Sequence, residues 1–162
     1  MKTILAFGDS LTWGYEAVTG RRHAFENRWP NALAAKLGPN VGMIAEGLNG
    51  RTTVHDDYLV DENRNGSKAL PMLRSSHQPL DLVIIMLGSN DLKFGGRCRA
   101  IDAKCGTERL VEIVKRFPYG ASSTEPQILS LAPPQLCETK DEEFDLAFGH
   151  AIEESKNFAR HY

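Results

Sequence analysis

The chain has 162 residues, 41% hydrophobic and 25% charged, enough for one globular domain built around a single core. Its net charge of -2 and pI of about 6.2 give no electrostatic case for nucleic acid or an anionic membrane as partner. No apolar run reaches the roughly 18 residues of a membrane span, and the first one is cut off too early for a signal peptide, so a cytoplasmic chain is expected.

That first run, residues 3–7, has β character and leads into Gly8-Asp9-Ser10-Leu11-Thr12. A serine in a sharp strand-to-helix turn presents its hydroxyl as a nucleophile; Asp9 or Ser10 as a plain helix cap is the alternative. A short Ala-rich helix is expected over 29–37, then a second strand over 41–45. It is followed by Glu46-Gly47-Leu48-Asn49-Gly50-Arg51-Thr52-Thr53. Asn-Gly marks a turn because both residues tolerate positive φ. Beyond a simple turn, Gly50 without a Cβ can bring its backbone N–H against a developing oxyanion. Arg51 anchors this turn or touches substrate. Residues 58–67 are polar and turn-rich and read as a surface loop.

Residues 82–87 are apolar without alternation, as in a strand covered on both faces. Gly88-Ser89-Asn90-Asp91 follows, where the Asn90 amide is either a further oxyanion donor or an Asx-turn. Residues 93–106 read as a second loop. Residues 107–117 form an amphipathic helix through Leu110, Val111, Ile113, Val114 and Phe117. A fourth strand covers 127–131, and a final helical stripe runs through Phe144, Phe148, Ala151, Ile152, Ser155 and Ala159. Alternating strands and helices imply right-handed crossovers and a three-layer α/β/α fold on a parallel, flavodoxin-like sheet. Such sheets bind ligands at the carboxyl ends of their strands. Three of those ends carry a serine, a turn glycine and an asparagine amide.

Phe7–Gly14, Gly47–Thr53 and Gly88–Asp91 resemble the first, glycine and Gly-x-Asn-Asp blocks of the GDSL, or SGNH, hydrolase family. The fuller stretches look most like its arylesterase and acyltransferase branch. The resemblance runs from the first strand through the final helix, and the combination is specific although no single tetrapeptide is. It implies Ser10 as nucleophile and an oxyanion hole made by the N–H groups of Ser10 and Gly50 and the Asn90 side chain. The activity implied is hydrolysis of short acyl or aryl esters, or acyl transfer to an alcohol. Carbohydrate deacetylation and thioester cleavage remain open within the family, and a non-catalytic acyl- or partner-binding domain outside it. A nucleotide-binding module is disfavoured by Asp9 with no nearby lysine at the first turn. The branch includes oligomers, so a homo-oligomer is also an expectation. Asp9 and Asp91 are read as structural.

The family completes its triad with Asp-x-x-His near the C-terminus, and these 162 residues contain no such motif. The sequence therefore predicts one domain over 1–162, about the first three-quarters of a hydrolase, lacking the last strand, the last helix and the catalytic base. Of His23, His55, His77, His150 and His161, only His23 and His55 fall near the expected cleft, and both read as loop residues. Cys98, Cys105 and Cys137 do not make a disulfide framework, although Cys98 and Cys105 could bridge under oxidation. No Cys/His spacing resembles a zinc site, and neither metal nor cofactor is expected.

Overall fold

A computed structural model describes residues 1–93, 98–120 and 123–162. Strand β1 (Lys2–Gly8) leads into the one-turn helix α1 (Ser10–Trp13), then a small hairpin, β2 (Tyr15–Glu16) with β3 (Arg21–Arg22). Helix α2 (Trp29–Leu37), strand β4 (Val41–Gly47), helix α3 (Gly66–His77) and strand β5 (Leu82–Met86) follow. After them come α4 (Ala100–Lys115), β6 (Gln127–Ser130) and three short C-terminal helices, α5 (Glu142–Phe148), α6 (Ile152–Ser155) and α7 (Phe158–His161). No helix among the described residues is long and apolar enough to cross a membrane.

The main sheet is parallel, in the order β4-β1-β5-β6. This matches the first four strands of the doubly wound order expected from the sequence. β1 and β5 are central and buried on both faces. Leu5, Phe7, Val83 and Ile85 meet Leu70 of α3 and Leu110 and Val114 of α4 in the principal core. Ile4, Ala6 and Ile84 alternate with them and are equally buried on the opposite face. Each such large aliphatic side chain contributes about 1.5–3 kcal/mol by leaving water. A smaller cluster of Leu92, Ala100, Ala103, Ala151 and Phe158 fastens the C-terminal helices to the start of α4.

The four strands lie within two residues of their expected bounds; the helices depart further. α3 occupies residues on which no helix was expected, and α4 begins at Ala100, inside the expected loop 93–106. Residues 94–97 of that loop lie outside the described residues. The single final helix is broken into three, with a 3-10 turn over Gly149–Ala151. All three cysteines are free, so Cys98 and Cys105 are not bridged.

Candidate active site

At the end of β1 the chain turns sharply at Asp9. The buried Asp9 carboxylate caps α1 by accepting the Leu11 N–H at 3.0 Å, and Gly14, at φ 93°, closes the turn. Ser10 is the first residue of α1 and is partly exposed. The helix lies directly on the end of β4, where a Cβ on Gly47 would overlap the Trp13 amide. On its other side Trp29 Nε1 donates to Thr12 Oγ1 at 3.2 Å.

The glycine turn after β4 is stitched to β1. The Leu48 N–H and Arg51 Nη1 both donate to the Gly8 carbonyl, at 3.2 and 2.9 Å. Arg51 also donates to the Glu46 carbonyl, and its guanidinium stacks on Phe7 at 4.4 Å from the ring centroid. It is 4% exposed, which decides its role: Arg51 anchors the turn. Burial lowers its pKa to about 10, so it stays charged at neutral pH. Gly50 adopts φ 78°, and a Cβ there would stand 2.8 Å from Arg64 Nη1. Arg64 is held over it by ion pairs to Asp57 and Glu62.

The turn after β5 joins the other two. Asn90 Nδ2 donates to Asp9 Oδ2 at 3.2 Å and to the Arg51 carbonyl at 3.1 Å, both buried. One amide thus bridges the serine turn and the glycine turn. Asp91 is fully buried and accepts the Thr53 N–H and hydroxyl, the structural part expected of it. Burial raises the pKa of Asp9 and of Asp91 to about 6 each, against hydrogen bonds from Leu11 and Thr53 that act in the other direction.

Among the described residues no histidine is hydrogen-bonded to Ser10. His77 is paired with Glu46 at 2.8 Å, and His150 meets the Leu92 carbonyl at 3.0 Å. His55 Nε2 faces Cys98 Sγ at 3.3 Å and Asp91 Oδ1 at 3.7 Å. Burial pushes the Cys98 thiol up to about 11. The sequence did not point to the row of aromatic rings beside the serine turn. Trp13 lies 6.5 Å from Tyr15, Tyr15 lies 5.9 Å from Phe144, and Phe144 stacks on Phe148 at 6.3 Å. The Lys93 ammonium stands over Phe148 at 5.4 Å. Phe144 and Phe148 were expected on one helical stripe, but their meeting with Trp13 and Tyr15 joins segments about 130 residues apart, which no local spacing announces.

The sequence profile of the GDSL-like lipase/acylhydrolase family matches residues 6–156, a span that holds all three turns. The chain belongs to that family. The expected fold and enzyme class, an SGNH-type carboxylic ester hydrolase, stand with it. Among solved structures, a carbohydrate acetylesterase family member from Sinorhizobium meliloti is 48% identical with a TM-score of 0.95, and the match covers 100% of this chain and 76% of that one. The native aryl esterase of M. smegmatis is 38% identical with a TM-score of 0.91, covering 100% of this chain and 78% of that one. No match was found among curated proteins.

Proposed function

We propose that the chain cleaves short acyl or aryl esters through an acyl intermediate on Ser10. Ser10 Oγ bonds to the ester carbonyl carbon and gives its proton to a base, while the alcohol or phenol departs with a proton. Water, or an alcohol in acyl transfer, then attacks the acyl-serine and regenerates the hydroxyl. The oxyanion formed in each step is held by the N–H groups of Ser10 and Gly50 and by the Asn90 amide.

The observation that carries this reading is the bridge made by Asn90, which ties the serine turn to the glycine turn at the ends of adjacent parallel strands. Its two bonds, at 3.2 and 3.1 Å, are longer than the usual 2.9–3.0 Å or so of an N–H···O bond. One of them is exchanged for the substrate oxygen as charge develops there. The row from Trp13 to Phe148 supplies an apolar wall for an aryl or acyl group.

Ser10 also needs a proton acceptor, because an unaided hydroxyl is a weak nucleophile. His77 and His150 are engaged elsewhere, and both acylation and deacylation are slow without a base. The test is a burst of p-nitrophenol from p-nitrophenyl acetate by the chain supplied with the family's C-terminal Asp-x-x-His block, expected there and absent once Ser10→Ala is introduced; equal release by the variant overturns the assignment. In that same chain a fluorophosphonate probe should label Ser10, and failure to do so would favour a non-catalytic acyl-binding domain. A second reading, removal of acetyl groups from carbohydrate, is favoured by the 48% identity to the Sinorhizobium protein. Ranked rates on aryl acetates, acyl-CoA thioesters and acetylated sugars separate it from the first.

A further inference from the structure

Three side chains of types that can ligate a metal, distant in sequence, meet behind the glycine turn. His55 follows that turn, Asp91 lies in the turn after β5, and Cys98 stands just ahead of α4. Their ligand atoms all lie within 4.8 Å of one another. A Cys–His–Asp proton relay is excluded by the ring atom used. A relay sets the nucleophile on one imidazole nitrogen and the carboxylate on the other. Here thiol and carboxylate both face Nε2, at 3.3 and 3.7 Å, and Cys98 is only 5% exposed.

Convergence of donors on one point is the arrangement of ligands around an ion. Bond lengths of about 2.0–2.3 Å around tetrahedral zinc set neighbouring nitrogen, oxygen and sulfur ligands about 3.3–3.6 Å apart. The observed 3.3 Å falls in that range and 3.7 Å just beyond it, so a small inward movement of the side chains would bring them to an ion. Imidazole, thiolate and carboxylate together carry two negative charges, which a divalent cation cancels. The Asp91 carboxylate is already oriented by the Thr53 N–H and hydroxyl, the outer support that ligating carboxylates characteristically have. The His55 side chain is 38% exposed, which leaves a side from which water can complete the coordination.

We propose that His55 Nε2, an Asp91 carboxylate oxygen and Cys98 Sγ form a binding site for one thiophilic divalent cation of the zinc type. The ion would clamp the residues trailing the glycine turn to the turn that carries Asn90 and to the start of α4. The site is independent of the ester chemistry, and its test reads metal binding alone.

Co2+ serves as the probe, because a cobalt–thiolate bond gives a charge-transfer absorption that Zn2+ bleaches on displacing it. The protein is expected to take up one equivalent with that band. Cys98→Ser should lose the band, and Cys98→Ser and His55→Phe should each weaken Zn2+ binding at least tenfold. A Cys105→Ser/Cys137→Ser double variant should keep both band and affinity. Far-ultraviolet circular dichroism verifies folding, and if Cys98→Ser does not fold, His55→Phe and the double variant decide. No stoichiometric binding by the unaltered protein, Zn2+ binding unweakened in His55→Phe, or a band that follows Cys105 and Cys137 overturns the proposal.

Discussion

At the scale of single residues the site depends on two kinds of constraint, one local and one not. Gly50 combines both, since its φ of 78° disfavours any side chain and the Arg64 guanidinium fills the space a Cβ would need. Gly50→Ala should therefore shift the turn and withdraw its N–H from the oxyanion hole proposed above. The expected cost is about 10²-fold in the acylation rate, with a smaller loss of thermal stability, both read on the purified variant; an unchanged rate would remove Gly50 from the mechanism. The turns that carry Ser10, Gly50 and Asn90 were legible in the sequence because a turn announces itself through neighbouring residues. The group of His55, Asp91 and Cys98 was not. Its members come from three separate segments, so the spacing rules for zinc ligands find nothing to match.

At the scale of elements, what could be read depended on what each element buries. Strands of continuous apolar residues were located within two residues, because a central parallel strand must be hydrophobic on both faces. The buried residues of α3 are Gly66, Leu70 and Arg74, at a four-residue spacing. Arg74 is accommodated between Phe117 and Tyr119, with its guanidinium 3.4 and 4.1 Å from the two ring centroids. A stripe of glycine, leucine and arginine shows no hydrophobic period, and Pro71 inside the helix reads as a breaker. The first half of α4 buries Ala100, Ala103, Gly106 and Thr107, residues too small to stand out as an apolar face. Close packing also positions Ser10: α1 rests on Gly47 backbone to backbone. Gly47→Ala should push the whole turn off β4, destabilise the protein by about 1–3 kcal/mol as an overpacked contact, and lower Ser10 labelling. Chemical denaturation and probe labelling measure the two effects, and a variant with unchanged stability would show that α1 can move freely.

At the scale of the whole molecule, the carboxylates with displaced pKa values fall into two groups with opposite effects on stability. Asp9 and Asp91 are buried, and each has a pKa raised to about 6. Between roughly pH 4, where such groups titrate in the unfolded chain, and pH 6 the folded protein holds protons that the unfolded chain has released. Stability therefore falls as pH rises through that window, by roughly 1 kcal/mol per carboxylate or more. Glu16, Asp56, Glu62, Asp81 and Asp102 have lowered pKa values, owing chiefly to hydrogen bonds. Their contribution is present above the unfolded carboxylate range and lost as pH drops below about 4. Thermal unfolding from pH 3 to 8 should give a maximum near pH 4, and Asp9→Asn should flatten the decline between pH 4 and 6. A melting temperature that climbs steadily from pH 5 to 7 would contradict this account.

The contact between Trp29 and Thr12 has an optical consequence. The chain has two tryptophans. Trp13 ends the one-turn helix that Ser10 begins, and Trp29 holds that helix through the Thr12 hydroxyl. All indole fluorescence thus originates on the helix that Ser10 begins or in direct contact with it. Emission from the unlabelled protein is consequently a local signal of this corner rather than an average over the fold. Rapid mixing with an ester that does not itself absorb would let arrival at Ser10, acylation and release be followed as separate changes in intensity.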